Sequence, residues 1–133
     1  MAETIISETD YATLWYDPDK KIIHHQFHKF IYGEQFRQVL ERGLEIFKEN
    51  HAQKWLSDDR KNSTLTTEDT EWAQKDWFPR VFQTGWKFWA IVMPDKIVGK
   101  MNMQRFIDAY SVQGLTIDIF DDPEEARKWL ESV

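Results

Sequence analysis

Hydrophobic residues along this chain alternate between two spacings, and this alternation constrains the fold more than any other feature. Over residues 33–50, apolar residues recur every three or four positions, which is the spacing of one helical face. Gly43 lies within that face, where the missing side chain allows close approach to a neighbouring sheet. Residues 86–93 instead form a near-continuous apolar run bounded by Gly85 and Pro94, which is typical of a central strand with both faces covered.

The whole pattern predicts a single α/β domain over residues 1–133. Strands are predicted at 11–16, 21–28, 54–58, 86–93 and 115–120, and helices at 33–50, at 67–84, around 103–110 and from 123 onward. Strands that alternate with helices form mostly parallel sheets with right-handed crossovers, and the turn sequence at 17–20 makes the first two strands an antiparallel hairpin. The expected fold is a mixed, mostly parallel five-stranded sheet with four main helices, in the order ββαβαβαβα.

Composition and charge exclude several classes of function. The 133-residue chain has no cysteine, so it contains neither a disulfide framework nor a thiolate metal site. Its formal net charge is −6 and its basic residues are dispersed among more numerous acids, which argues against nucleic-acid binding. No apolar stretch reaches the roughly 20 residues of a transmembrane helix, and the N-terminus lacks a signal-peptide pattern. We therefore expect a cytoplasmic protein without a transmembrane segment, and leave peripheral membrane contact and a homodimer open.

Three of the four histidines, His24, His25 and His28, lie in the second predicted strand. His24 and His28 share a strand face but lie about 13 Å apart at about 3.3 Å per residue, too far to chelate one ion. We expect half-exposed strand histidines and no metal site. No phosphate-binding loop or nucleophile motif occurs, so we expect no cofactor.

The stretch between the third strand and the second helix holds most of the candidate polar residues. In a structural interpretation, Thr66 caps the helix and Asp69 reciprocates three residues later, as in a capping box. In a functional interpretation, Asp58, Arg60 and Lys61 form an anion or polar site, because ligands bind beyond the carboxyl ends of parallel strands. A simple ion pair between Asp58 and Arg60 explains the same residues.

An enzymatic role is the alternative to a binding role for these residues. A small hydrolase or transferase would use Asp58 and Asp59 together with Arg60. Adjacent strand residues point to opposite faces of a sheet, so Asp58 and Asp59 do not readily act as a carboxylate pair. The sequence therefore favours a non-enzymatic function.

A cluster of aromatic residues marks the candidate site for a ligand or partner. Its members are Trp72, Trp77, Phe78, Phe82 and Trp86. Trp72 and Trp77 diverge by about 140° around an α-helix, so one of them should leave the core face unless a kink or break at Pro79 redirects it. A partly exposed cluster suits a small apolar ligand or a protein-docking patch, whereas coverage by the third predicted helix would make it ordinary core.

Three local sequences, together with the element order, resemble the SpoIIAA-like branch of the STAS superfamily. They are WLSDDRK at 55–61, EWAQKDWFPR at 71–80 and IDIFDDPEEARKWL at 117–130. The resemblance implies a fold related to CRAL-TRIO lipid-binding domains, and a bacterial regulatory module with a protein partner or a small lipid-like ligand. STAS antagonists are phosphorylated on a serine in an Asp-Ser-Ser-Gly motif. That motif is missing here, and Ser63, the residue nearest the corresponding place, is the candidate for phosphorylation.

Overall fold

One mixed sheet of six strands forms the centre of the fold in the computed structural model, which describes residues 3–62 and 64–133. The strands lie side by side in chain order. Their bounds are Thr4–Glu8 (β1), Ala12–Asp17 (β2), Ile22–Phe27 (β3), Lys54–Asp58 (β4), Phe88–Val92 (β5) and Thr116–Phe120 (β6). The strand β2 runs antiparallel to both β1 and β3, and β3 to β6 are parallel to one another.

The α/β class, the mixed sheet and the hairpin of β2 and β3 are confirmed, but the prediction of five strands is wrong because it missed β1. This edge strand pairs with β2 from Thr4 opposite Tyr16 to Glu8 opposite Thr13. Its side chains are exposed or half-buried, so it lacks the apolar alternation that marks a strand in a sequence. Backbone pairing with β2, rather than side-chain burial, holds it in the sheet.

Helices cover both faces of the sheet. Their bounds are Gly33–Glu49 (α1), Thr67–Trp72 (α2), Phe78–Gln83 (α3), Ile97–Ser111 (α4) and Pro123–Ser132 (α5). A π-helical turn at Ala73–Trp77 joins α2 to α3, and this continuous α2–α3 stretch makes four main helices, as predicted. Over the residues that the structure describes, no helix is long and apolar enough to cross a membrane.

The α2–α3 stretch continues through Pro79 without the break that was one expectation for this position. Trp77 and Phe78 keep right-handed helical dihedral angles, and the backbone N–H of Phe78 donates to the carbonyl of Ala73, five residues earlier. A proline inside an α-helix clashes with the carbonyl four residues before it. The wider π turn provides space in front of Pro79, so the helix changes its winding instead of ending.

The connecting helices α1, α2–α3 and α4 lie on one face of the sheet, and α5 lies on the other. Parallel strands in chain order, joined by right-handed crossovers, place all their connections on the same side. That side holds the larger, aromatic-rich core. The opposite core is smaller and consists of Ile22, Leu56, Ala90, Val92, Ala126 and Leu130.

The close approach predicted at Gly43 is confirmed. A Cβ atom on Gly43 would lie 2.6 Å from Cη2 of Trp55, a contact that real Cβ atoms do not make. Trp55 is fully buried on β4. The missing side chain of Gly43 therefore sets the distance between α1 and the middle of the sheet.

Candidate functional site

A cavity of about 60 Å³ lies between the sheet and the helices of the aromatic-rich core. It is bounded by β3, β4 and β5, by α1 and the α2–α3 stretch, and by the start of α4. A water molecule takes up about 30 Å³ in the liquid, so the cavity has room for a few non-hydrogen atoms.

Aromatic side chains form most of the apolar wall. Trp77 and Phe78 come from the α2–α3 stretch and Trp89 from β5. Phe78 stacks on Phe106 and on Tyr110, with ring centroids 4.8 and 4.9 Å apart. The Nε1–H of Trp77 donates to the backbone carbonyl of Leu40 at 2.9 Å, which satisfies its polar atom and fixes the ring. The wall is therefore rigid on the sheet and α2–α3 sides.

His25 and Asp59 form the polar end of the cavity. His25 Nε2 lies 2.9 Å from Asp59 Oδ1, and Trp55 Nε1–H donates to His25 Nδ1 at 3.0 Å. An indole N–H only donates, so Nδ1 is the acceptor and the imidazole proton resides on Nε2. From there it is donated to Asp59. All three side chains are buried, and both ring nitrogens of His25 are in use.

Ser57 and Asn62 complete the polar end. Trp89 Nε1–H donates to Ser57 Oγ at 2.9 Å, and the backbone N–H of Ile31 donates to Asn62 Oδ1 at 3.4 Å. In several of these contacts, a group on one element orients a side chain of another element. The site thus combines an apolar wall with a compact polar end that contains one carboxylate.

The sequence interpretation missed His25, Ser57, Asn62 and Trp89 as site residues. The signal that identifies the first two is the register of the parallel strands, in which His25 lies opposite Ser57. Asp59, two residues beyond Ser57, then lies on the same side of the sheet as both. Strand positions are predictable from one sequence. This register, in contrast, depends on how α1 packs against the sheet where it connects β3 to β4.

Only part of the predicted aromatic cluster lines the cavity. Trp77 and Phe78 do so, whereas Trp86 is buried against Phe78 at a ring-centroid distance of 5.8 Å. Trp72 and Phe82 are half-buried and pack on the same core. Trp77 is only 3% exposed. The predicted divergence of about 140° assumed a regular α-helix. The π turn between Trp72 and Trp77 changes the relative direction of the two side chains.

Asp58 and Arg60 form the ion pair that the simpler interpretation predicts. Arg60 donates from Nε to Asp58 Oδ1 at 2.9 Å and from Nη2 to Oδ2 at 2.8 Å. This hydrogen-bonded carboxylate raises the pKa of Arg60. Asp59 bonds to His25 instead, so the two adjacent aspartates do not form a pair. Lys61 is exposed, and the candidate phosphorylation site Ser63 lies outside the described residues.

Half of the predicted capping box is confirmed. Thr66 Oγ1 accepts the backbone N–H of Asp69 at 3.1 Å. The prediction of a reciprocal bond is wrong. The Asp69 carboxylate instead accepts hydrogen bonds from the Gly33 N–H at 2.8 Å and from Arg37 Nε at 3.3 Å. This buried carboxylate links the start of α2 to the start of α1.

The expectation of half-exposed histidines is wrong for His24 and His25, which are 6% and 4% exposed. His24 lies on the α5 side of the sheet, stacked on Trp15 at 4.4 Å between centroids. Its Nδ1 is 2.9 Å from Glu3 Oε2 and 3.0 Å from Arg127 Nη2. Burial lowers the pKa of His24, although the hydrogen bond with Glu3 acts in the opposite direction.

Comparisons with protein-family models, with curated proteins and with solved structures found no match.

Proposed function

We propose that this protein is a non-enzymatic, STAS-like module of the SpoIIAA-like type that binds a small apolar ligand in the cavity under α4. The cavity itself carries the proposal. Ligand sites in proteins are mostly apolar and contain a few placed polar groups, and this cavity combines Trp77, Phe78 and Trp89 with the His25–Asp59 pair. The resemblance of the sequence to a family related to lipid-binding domains supports the same class of ligand.

The ligand requires a wider cavity than the one in this structure. Benzene occupies an engineered cavity of about 150 Å³, more than twice the volume of about 60 Å³ found here. The start of α4 offers the least resistance, because it contributes Gly99 and the flexible Met103 to the wall. The N-cap residue of α4, Lys96, makes no side-chain cap hydrogen bond. We propose that this end of α4 moves outward when the ligand enters.

The arrangement of the strand-end acids does not favour the enzymatic alternative. Both oxygens of Asp58 accept hydrogen bonds from Arg60, and Asp59 is bonded to His25. The residues that a hydrolase or transferase would need to use together are thereby directed to different partners.

Titration with 1-hexanol tests the proposal, with tryptophan emission and the midpoint of thermal unfolding (Tm) as readouts. Trp77 and Trp89 line the cavity, so a bound ligand should change the emission saturably, and a ligand of the native state raises Tm. Ala73→Leu should remove both effects, because Ala73 lines the cavity and is buried, so the larger side chain fills the space.

Ala109→Leu is the matched control, since it makes the same change at an exposed position of α4. This variant should respond to 1-hexanol as the unmodified protein does. The proposal fails if six-carbon ligands with any head group leave emission and Tm unchanged, or if a folded Ala73→Leu variant binds them normally.

A further inference from the structure

The polar end of the cavity carries a negative charge that no cation in the cavity wall offsets. Over the residues that the structure describes, the wall includes Asp59 but no lysine or arginine. The arginines of the neighbouring segments are engaged elsewhere. Arg60 bonds to Asp58, and Arg37 bonds to Asp69.

His25 does not supply the missing positive charge. Its Nδ1 accepts the Trp55 N–H, which has no lone pair to receive a proton in return. A doubly protonated imidazole would direct its Nδ1–H against that indole N–H. His25 therefore gives Asp59 one neutral donor and no positive charge.

The remaining hydrogen-bonding capacity at this end favours a donor head group. Asp59 Oδ1 is occupied by His25, and no group in residues 3–62 or 64–133 donates to Oδ2. Ser57 Oγ and Asn62 Oδ1 already accept bonds from Trp89 and from the backbone of Ile31. The free capacity consists of the Asp59 oxygen together with the Ser57 hydroxyl proton and the Asn62 amide protons.

We infer that the ligand of this cavity is an amphiphile whose head donates a hydrogen bond to Asp59, an alcohol or a protonated amine, and that carboxylate-headed lipids are rejected. This inference rests on the proposed function and specifies the class of its ligand. A hydroxyl group donates to Asp59 and accepts from Ser57 or Asn62, so it satisfies both kinds of free group. A fatty-acid carboxylate would place a second negative charge beside Asp59 in a poorly solvated site, where like charges repel strongly.

The test compares 1-hexanol, hexylamine and hexanoate, which share one alkyl chain, at pH 7 with the full chain. The unmodified protein should bind 1-hexanol at least about tenfold more tightly than hexanoate, a conservative figure for two like charges a few ångströms apart. Asp59→Asn should bring the alcohol-to-acid ratio to within about twofold, because the amide keeps the shape and an acceptor for His25 but removes the charge.

Asp95→Asn serves as the matched control. Asp95 is an exposed carboxylate near the same end of the sheet, with its backbone N–H bonded to the carbonyl of Arg60, and it does not line the cavity. Its removal should leave the ratio unchanged. If Asp59→Asn proves unfolded by circular dichroism, the ratio measured on the unmodified protein still decides the inference.

The outcomes separate this inference from the proposed function. Equal binding of hexanoate and 1-hexanol by the unmodified protein overturns the inference and leaves the proposed function intact. An unchanged preference in a folded Asp59→Asn variant overturns it as well. The absence of binding by all three compounds rejects the proposed function itself.

Discussion

Single buried polar residues connect elements of this fold that are distant in sequence. Asp69 is 1% exposed, yet its carboxylate caps α1 from α2 by accepting the Gly33 N–H and contacting Arg37. A buried carboxylate that accepts hydrogen bonds stabilises the fold, whereas removing it leaves its donor unpaired. The helix starts are therefore coupled through one side chain.

Asp69→Ala should lower the free energy of unfolding by about 2–3 kcal/mol, since it leaves the Gly33 N–H without its acceptor and removes the partner of Arg37. Urea denaturation measures the change. Glu68→Gln is the control, because Glu68 is an exposed acid in the same helical turn and should cost well under 1 kcal/mol. Equal effects of the two variants would contradict this role for Asp69.

Acidification should destabilise the protein partly through His24. Because burial lowers its pKa in the folded state, the unfolded chain binds this proton first as the pH falls below about 6.5. The contribution to stability is therefore present at pH 7 and is lost on going toward pH 5. The pKa of Glu3 is also lowered, since its bonds to His24 and Arg127 outweigh the effect of burial, and this adds a loss of the same sign at lower pH.

The measurement is the free energy of unfolding from urea titrations at pH 7, 6 and 5, for the unmodified protein and for His24→Gln. The variant should lose less stability over this range. Parallel pH profiles for the two proteins would show that His24 makes no such contribution.

At the scale of elements, helix-to-sheet spacing depends on a residue with no side chain. Gly43→Ala would gain helix propensity of up to about 1 kcal/mol but would force a Cβ into the ring of Trp55. Overpacking of a filled core costs about 1–3 kcal/mol, so we expect a net loss of stability in urea denaturation.

A double-mutant cycle isolates this contact. In a Trp55→Phe background the ring is smaller, and Gly43→Ala should be neutral or stabilising there. If Gly43→Ala costs the same in both backgrounds, the clash with Trp55 is not the cause.

Some elements of this fold are predictable from the sequence and others are not, and the reasons are physical. α1 was predicted at 33–50 and found at Gly33–Glu49, because a 17-residue amphipathic pattern is specific to one face of a helix. β1 was missed because an edge strand needs only backbone pairing. The π turn was missed because hydrophobic periodicity carries no signal for a single wider turn.

Only some of the residues that line the cavity could be predicted from the sequence. Trp77 and Phe78, which belong to the predicted aromatic cluster, line the cavity together with Trp89, which the sequence analysis did not single out. The contact of His25 with Asp59, 34 residues later, depends on strand register, and the sequence alone left both residues without partners.

At the scale of the whole molecule, the chain-ordered sheet leaves α4 as the last helix on the cavity side. Three apolar residues near its start point to solvent: Ile97 is 74% exposed, Val98 62% and Met101 65%. The inner side contributes Gly99 and Met103 to the cavity wall. This end of α4 is thus held by fewer buried side chains than the rest of the core.

Amide hydrogen exchange should show this difference directly. We expect exchange at 97–103 to be faster than in the middle of α1, and to slow when 1-hexanol is bound, because ligand and helix then stabilise each other. Exchange in the middle of α1, which also lines the cavity, should slow only by the ligand's contribution to global stability. Uniform protection of α4 and α1 in the free protein would contradict the proposal that α4 moves.

The π turn at Ala73–Trp77 also has a genetic consequence. Removing one codon from 74–76 would give this stretch the residue count of a regular α-helix, and Trp77 and Phe78 would keep roughly their direction relative to α2, because one wide turn holds one residue more than a regular turn. The regular turn would, however, remove the space in front of Pro79, whose ring would meet the carbonyl four residues earlier at a cost of about 3 kcal/mol or more. The gene must therefore keep the length of 73–77 for as long as it encodes proline at 79, so this length should be under stronger selection than the identity of the exposed Gln74 and Lys75.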